Sequence, residues 1–130
     1  AKPSLEGSEL KVLIVEDEEP IRAVAKLALE TVGYQVHFAE NADDALAIIG
    51  NSPSFDLLIS DIVMPGSMSG KDLADRLRIE HPDLPVLLIT GYSASVTSDY
   101  PVLLKPFRLD ELHKQVKIVM SSRRASRHKN

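Results

Sequence analysis

The sequence predicts an α/β domain in which helices cover both faces of a doubly wound parallel sheet. Five short apolar runs recur along the chain, and four of them are followed by a segment with helical periodicity. This alternation favours right-handed crossovers between parallel strands. The 130 residues, 44% of them hydrophobic and 26% charged, are enough for one globular core.

Four of the five predicted strands consist mainly of consecutive apolar residues rather than alternating apolar and polar ones. This pattern is typical of strands that are buried on both faces of a parallel sheet. In chain order the runs are KVLIV (11–15), YQVHFA (34–39), FDLLIS (55–60), PVLLIT (85–90) and VLLK (102–105).

Four amphipathic segments between and after these runs predict helices. Pro20 suits a first helical turn and Gly33 suits a helix end, while Asn41 can cap the second helix. The predicted helices cover 20–32, 42–50, the segment KDLADRLRIEHP after Gly70, and Leu109 to about Ser121.

The interval between the fourth and fifth strands differs from the others. Residues 91–101 offer eleven positions with little helical periodicity, so at most one or two helical turns fit. We expect a folded domain over 10–121, a flexible N-terminal tail over 1–9, and a basic flexible tail over 122–130.

Composition limits the functions that the domain can have. The four Arg and Lys residues of the last ten leave the preceding 120 residues with a net charge of −8, which disfavours binding to nucleic acid. Cysteine is absent, and neither a secretory signal nor an apolar run long enough to span a membrane is present. We expect a cytoplasmic protein without disulfides and without membrane contact.

Reactive side chains stand at the carboxyl ends of four predicted strands, where doubly wound sheets bind ligands. They are Glu16, Asp17, Asp61, Thr90 and Lys105. Three carboxylates so close together repel one another by roughly 1 to 4 kcal/mol per pair. A divalent cation such as Mg²⁺ or Mn²⁺ would offset that charge, and a remaining carboxylate could accept a phosphoryl group.

Four motifs in this order resemble the receiver domains of two-component response regulators, over roughly residues 11–121. They are VLIVEDE (12–18), DIVMPGSMSG (61–70), ITG (89–91) and LLKPF (103–107). The resemblance implies a flavodoxin-like sheet of order 2-1-3-4-5. It also implies a cytoplasmic phosphoprotein that acts as a switch in signal transduction, through an aspartyl phosphate or a phosphorelay.

The resemblance also implies a role for each site residue. Asp61 would be phosphorylated by a sensor or hybrid histidine kinase or by a histidine phosphotransfer protein, and Thr90 and Lys105 would bind the phosphoryl group. A cis peptide would join Lys105 to Pro106. The implied ligands of Mg²⁺ are Glu16, Asp17, Asp61 and the backbone carbonyl of Val63. The domain would not be an enzyme beyond its own phosphorylation and slow self-dephosphorylation.

Three departures from the family pattern favour the branch with a short fourth helix, similar to receivers of hybrid histidine kinases. Pro65 and Gly70 are five positions apart rather than four, and Thr90 and Lys105 only fifteen. Val102 replaces an aromatic residue that many receivers use for switching. We also expect Val63 and Tyr92 to flank the path of an attacking water and to slow dephosphorylation.

The same residues also have less specific explanations, and the domain could have other functions. Acids at strand ends often act only as caps, and Glu18 and Glu19 can simply complement the dipole of the first helix. A docking module that works without phosphorylation stays open. A haloacid dehalogenase type phosphatase is disfavoured because Ile62 and Val63 follow Asp61 in place of an Asp-x-Asp pair. The signal could leave the domain through partner binding, through another domain, or through transfer of the phosphoryl group in a relay, and these alternatives also stay open.

Overall fold

Five parallel strands form one sheet in a computed structural model that describes residues 10–51, 55–64, 66, 68–91 and 100–128. The strands are β1 (Lys11–Val15), β2 (Gln35–Ala39), β3 (Leu57–Asp61), β4 (Val86–Thr90) and β5 (Val102–Leu104). Their order is β2–β1–β3–β4–β5, and every neighbouring pair is parallel. The predicted fold class and strand order are therefore confirmed.

Among the described residues, four helices cover the two faces of this sheet. Alternate residues of each strand point to opposite faces, so the core consists of two clusters, one on each face. The helices are α1 (Glu19–Thr31), α2 (Ala42–Asn51), α3 (Gly70–Glu80) and α4 (Leu109–His128). One core cluster joins strand residues such as Leu13 and Leu58 to α2 and α3, and the other joins Ile14 and Ile59 to α1 and α4. All residues of β3 and β4 are buried, as their apolar runs predicted.

Local signals explain where the first three helices begin and end. Pro20 lies in the first turn of α1, and Gly33 follows its end with φ of 99°, a conformation that favours glycine. Asn41 caps α2, its Oδ1 accepting a hydrogen bond of 2.8 Å from Asp44 N. For α3, Ser69 and Asp72 form a capping box that the sequence analysis did not anticipate.

The last helix is longer than predicted. It runs to His128, whereas the sequence analysis ended it near Ser121 and assigned 122–130 to a flexible tail, so that predicted helix end is wrong. The segment RRASRH contains neither Gly nor Pro, and Arg and Ala are good helix formers, so nothing in it stops the helix. Near its start, α4 packs on α1, and His113 Nε2 donates a hydrogen bond of 2.6 Å to Ala28 O.

Some predictions fall on residues that the structure does not describe. The shortened fourth helix falls mainly on 92–99, Tyr92 is among those residues, and the N-terminal tail covers 1–9. Tyr100, at the end of the connection, is described: it is buried and its OH donates to Asp75 Oδ1 at 2.5 Å. Within the described ranges, no helix has both the length and the apolar character needed to cross a bilayer.

Candidate functional site

The carboxyl ends of β1 and β3 bring three acids together at one edge of the sheet. β1 and β3 are neighbours, with Val15 paired to Ser60, so the residues that follow, Glu16 and Asp61, lie at the same level. One carboxylate oxygen each of Glu16, Asp17 and Asp61 lies within 4.8 Å of the others. We call these three residues the acid edge. The structure brings them together as the sequence predicted.

Lys105 reaches the acid edge from the end of β5. Its backbone N–H donates to Thr90 O at 2.8 Å, which places it beside β4. Its Nζ donates to Asp61 Oδ2 at 2.8 Å and lies 3.4 Å from Glu16 Oε1. A cis peptide joins it to Pro106, as the family resemblance implied. Burial alone would lower the pKa of the ammonium, but the hydrogen bond to Asp61 and the neighbouring carboxylates raise it.

Glu16 is the most deeply buried member of the acid edge, with no solvent exposure. Its Oε2 accepts a hydrogen bond of 3.1 Å from Glu18 N, whereas Oε1 is buried without a hydrogen-bond partner among the described residues. Burial raises the pKa of this carboxyl to about 7, and the nearby charge of Asp61 adds to the effect. Lys105 only partly offsets it. A buried oxygen that is met by Lys105 only at ion-pair distance, 3.4 Å, and lies beside two more carboxylates fits a hard cation.

Thr90 and Val63 also lie at this edge of the sheet. Thr90 is fully buried at the end of β4, the strand that pairs with β3, so it is placed next to the end of the strand that carries Asp61. Val63 follows that strand by two residues, and 57% of it is exposed. The predicted site residues therefore all lie at the carboxyl ends of β1, β3, β4 and β5 or directly after them.

Two residues that contact the site were missed from the sequence. Glu18 Oε1 lies 3.2 Å from Lys105 Nζ, although the sequence analysis gave Glu18 only a role at the helix dipole. Gly70 begins α3 directly against β3: a Cβ there would overlap the backbone carbonyl of Asp61 and lie 2.9 Å from Ser60 Oγ. The position of Gly70, directly before the predicted third helix and soon after the strand that ends in Asp61, is the signal that could have revealed the second contact.

The sequence also matches a known family over most of its length. The family model described as the response regulator receiver domain matches residues 12–117.

The chain belongs to the response regulator receiver family.

Proteins similar to this receiver domain include a response regulator receiver protein and a hybrid kinase. The response regulator receiver protein CpdR of Brucella abortus is 38% identical over 82% of this chain and 92% of its own length. The sensor kinase CckA of the same organism is 36% identical over 82% of this chain, which spans only 12% of that kinase. The predicted similarity to receivers of hybrid kinases is thus confirmed.

Solved structures agree with this assignment. The receiver domain of the hybrid histidine kinase CckA has a TM-score of 0.73 at 36% identity, covering 85% of this chain and 98% of that one. The response regulator TrrA of Thermotoga maritima, solved in complex with Mg²⁺ and BeF, has a TM-score of 0.76 at 34% identity, covering 85% and 98%. Receiver domains bind Mg²⁺ at an acidic pocket, and the acid edge is the corresponding feature of this chain.

Proposed function

We propose that this receiver domain is a phosphorylation switch in which Asp61 is the phosphoacceptor. The observation that carries the proposal is the position of Asp61: it is 5% exposed, and its Oδ2 lies 2.8 Å from the ammonium of Lys105. A carboxylate oxygen of Asp61 attacks the phosphorus of a phosphohistidine, an O–P bond forms, and the P–N bond breaks with its electron pair leaving on the imidazole. Such transfer depends mainly on positioning and charge.

Lys105 and Thr90 are the groups that would receive the negative charge of the phosphoryl oxygens. The Lys105 ammonium already lies beside the acceptor, and its raised pKa keeps it charged throughout the physiological range. Thr90 is buried on the neighbouring strand and carries a hydroxyl that can donate. Movement of Thr90 toward the phosphoryl group would pull on the segment that follows it, and so change the surface that a partner binds.

The acid edge would hold Mg²⁺ through Glu16, Asp17, Asp61 and the carbonyl of Val63. When bound, the cation neutralises charge between the acceptor and the phosphoryl oxygens. The support from this chain is that one carboxylate oxygen of each acid lies within 4.8 Å of the others, and that the buried Glu16 Oε1 has Lys105 near it only at ion-pair distance, 3.4 Å.

The partners of the proposed switch are a histidine kinase or a phosphotransfer protein upstream and a protein target downstream. Membership of the family supports the upstream class. The domain would turn over no separate substrate, and its phosphoryl group would be lost by slow hydrolysis.

Intact-mass measurement after incubation with acetyl phosphate, with and without Mg²⁺, tests the proposal. We expect one phosphoryl adduct that requires Mg²⁺ and is absent in Asp61→Asn. Asp56→Asn is the matched control, because Asp56 lies five positions earlier and uses its carboxylate to accept from Lys11 N at 2.8 Å. An adduct that persists in Asp61→Asn would refute the assignment of the acceptor. No adduct in the wild-type protein with either acetyl phosphate or a phosphorylated kinase would refute the switch.

A further inference from the structure

Glu18 occupies the N-cap of α1 but does not cap it. Its backbone is extended, as an N-cap requires, yet its side chain makes no hydrogen bond to the helix N-terminus. Instead Oε1 lies 3.2 Å from Lys105 Nζ, 87 positions away in the sequence. Pro20 in the first turn has no N–H to donate, and glutamate is not among the preferred N-cap residues, so the Glu18 carboxylate is available to the site lysine.

Lys105 therefore lies between an inner and an outer partner. The inner partner is Asp61, whose side chain is 7% exposed, and the outer partner is Glu18, whose side chain is 57% exposed. The two Nζ–O distances are 2.8 Å and 3.2 Å. An ammonium has three donors, so in the resting protein it can keep both partners and also face Glu16 Oε1, which lies 3.4 Å away.

We propose that Glu18 is a positioning residue that holds Lys105 in the resting state and competes for it with the phosphoryl group. This inference rests on the proposed function of Asp61. A phosphoryl group on Asp61 brings three acceptor oxygens to the ammonium, which must turn its donors toward them and away from Glu18. The Glu18 carboxylate also repels the incoming anion. Both effects disfavour the phosphorylated form, so Glu18 limits how readily the switch turns on.

The size of the effect follows from the exposure of the pair. Ion pairs between exposed side chains contribute about 0.2 to 1 kcal/mol, and because the Lys105 side chain is only 15% exposed we expect the upper part of this range, a factor of about two to five in an equilibrium constant. Removing the charge of Glu18 should therefore strengthen binding of a phosphoryl mimic by about two- to fivefold.

Glu19→Gln is a matched control for Glu18→Gln. It removes one negative charge from the adjacent residue in the first turn of the same helix, and no ion pair among the described residues joins Glu19 to Lys105. The difference between the two variants isolates the contact with Lys105 from the change in net charge.

The experiment is a titration of the full chain with beryllofluoride at saturating Mg²⁺, followed by ¹⁹F NMR. We expect Glu18→Gln to bind the anion about two- to fivefold more tightly than Glu19→Gln. The ¹H–¹⁵N signal of the Lys105 ammonium in the resting protein should shift in Glu18→Gln and stay in place in Glu19→Gln, which a purely structural role would not produce.

Equal affinities in the two variants, with a wild-type protein that binds the anion, would overturn the inference and leave the proposed function standing. A wild-type protein that neither binds beryllofluoride nor forms the adduct with acetyl phosphate would remove the proposed function, and the inference with it. The two failures are therefore distinguishable.

Discussion

Two charged networks lie on this receiver domain, and they differ mainly in burial. In the first network, Glu16 and Asp61 of the acid edge have side chains that are 1% and 7% exposed, and the side chain of Lys105 beside them is 15% exposed. On α3, Lys71 donates to Asp75 at 2.9 Å, and these side chains are 39% and 48% exposed. Tyr100 completes this second set, together with Arg78, whose guanidinium lies 5.0 Å from the centre of the Tyr100 ring. We call Lys71, Asp75, Arg78 and Tyr100 the α3 network.

The same kinds of group therefore have opposite electrostatic consequences in the two places. Burial raises the pKa of the Glu16 carboxyl to about 7, so the acid edge holds more negative charge than its surroundings favour. In the α3 network the hydrogen bond from Tyr100, followed by the contact with Lys71, lowers the pKa of the Asp75 carboxyl. The first arrangement costs stability and suits a cation. The second stabilises the fold, because its carboxylate already has a donor and a cation beside it.

Gly70→Ala should give the largest effect, because it disturbs the backbone that carries the acid edge. The added methyl group would overlap the Asp61 carbonyl, and backbone cannot move aside as a flexible side chain can. We expect the free energy of unfolding to fall by more than about 2 kcal/mol, and phosphorylation of Asp61 to be lost or strongly reduced. Urea denaturation and the intact-mass assay measure the two effects.

Gly50→Ala is the control for this substitution. Gly50 lies within α2, and a Cβ there would have no neighbour within 4 Å. Alanine is a better helix former than glycine, so this variant should be more stable by about 0.5 to 1 kcal/mol. Similar changes in the free energy of unfolding for the two variants would show that α3 and β3 do not make this tight contact.

Glu16→Gln should stabilise the metal-free protein while it weakens Mg²⁺ binding. The pKa of the Glu16 carboxyl is raised in the fold, so the ionised form is disfavoured relative to the unfolded chain. That cost is absent below about pH 4.5 and fully present above about pH 7. In EDTA we expect a gain of about 1 to 3 kcal/mol at pH 8, and a much smaller gain at pH 5, by urea denaturation.

Isothermal titration of Mg²⁺ into the same variant supplies the second half of this test. The affinity should fall because one oxygen donor has lost its charge. Glu40→Gln is a suitable control, since Glu40 follows β2 and its side chain is 70% exposed. A gain in stability that is equal at pH 5 and pH 8 would contradict the conclusion that the free-energy cost comes from an ionised, buried Glu16.

Tyr100→Phe should give the smallest effect and should leave the acid edge unchanged. It removes the hydrogen bond to Asp75, whose carboxylate is half exposed and can be hydrated instead, so we expect a loss of about 1 kcal/mol. Because the pKa of Asp75 is lowered in the fold, this contribution is present above pH 3.8 and is lost as the pH falls below it. Thermal or urea unfolding at pH 7 and pH 3 measures it.

The α3 network and the acid edge can then be compared in one assay. In an Asp75→Asn background, the substitution at Tyr100 should cost clearly less than in the wild-type protein, because the charged acceptor is already gone. Phosphorylation of Asp61 by acetyl phosphate should proceed at a similar rate in the wild-type protein and in Tyr100→Phe. A rate change as large as that of a substitution at the acid edge would show that the two networks are coupled.

Much of the fold was predictable because the inner strands β1, β3 and β4 are short, apolar and buried on both faces. Runs such as FDLLIS have few alternatives in a parallel sheet, and Asn41 and Gly33 mark helix ends through their local chemistry. The end of α4 was predicted wrongly, since helix ends without Gly or Pro have no comparable local signal. The segment 92–99 stays a prediction, because it lies outside the described residues.

The site was predictable where strand ends determine it. Residues at the carboxyl ends of adjacent parallel strands must meet, so Glu16, Asp17 and Asp61 were placed together correctly. The contact of Glu18 with Lys105 was not predictable, because it depends on the direction in which one side chain turns at a helix start. The link from Tyr100 to Asp75 was not predictable either, since it joins a loop end to a helix face that no sequence pattern pairs.

The position of β5 has a consequence for the order in which the molecule opens. β5 has three residues and a single neighbour, β4, whereas β1 and β3 lie inside the sheet. Short edge elements open first in native-state fluctuations, each as part of a cooperative unit. When β5 detaches, it takes Lys105 with it and leaves the three carboxylates on the remaining sheet. Hydrogen exchange of β5 amides should therefore report on the loss of the site lysine, well before the sheet itself unfolds.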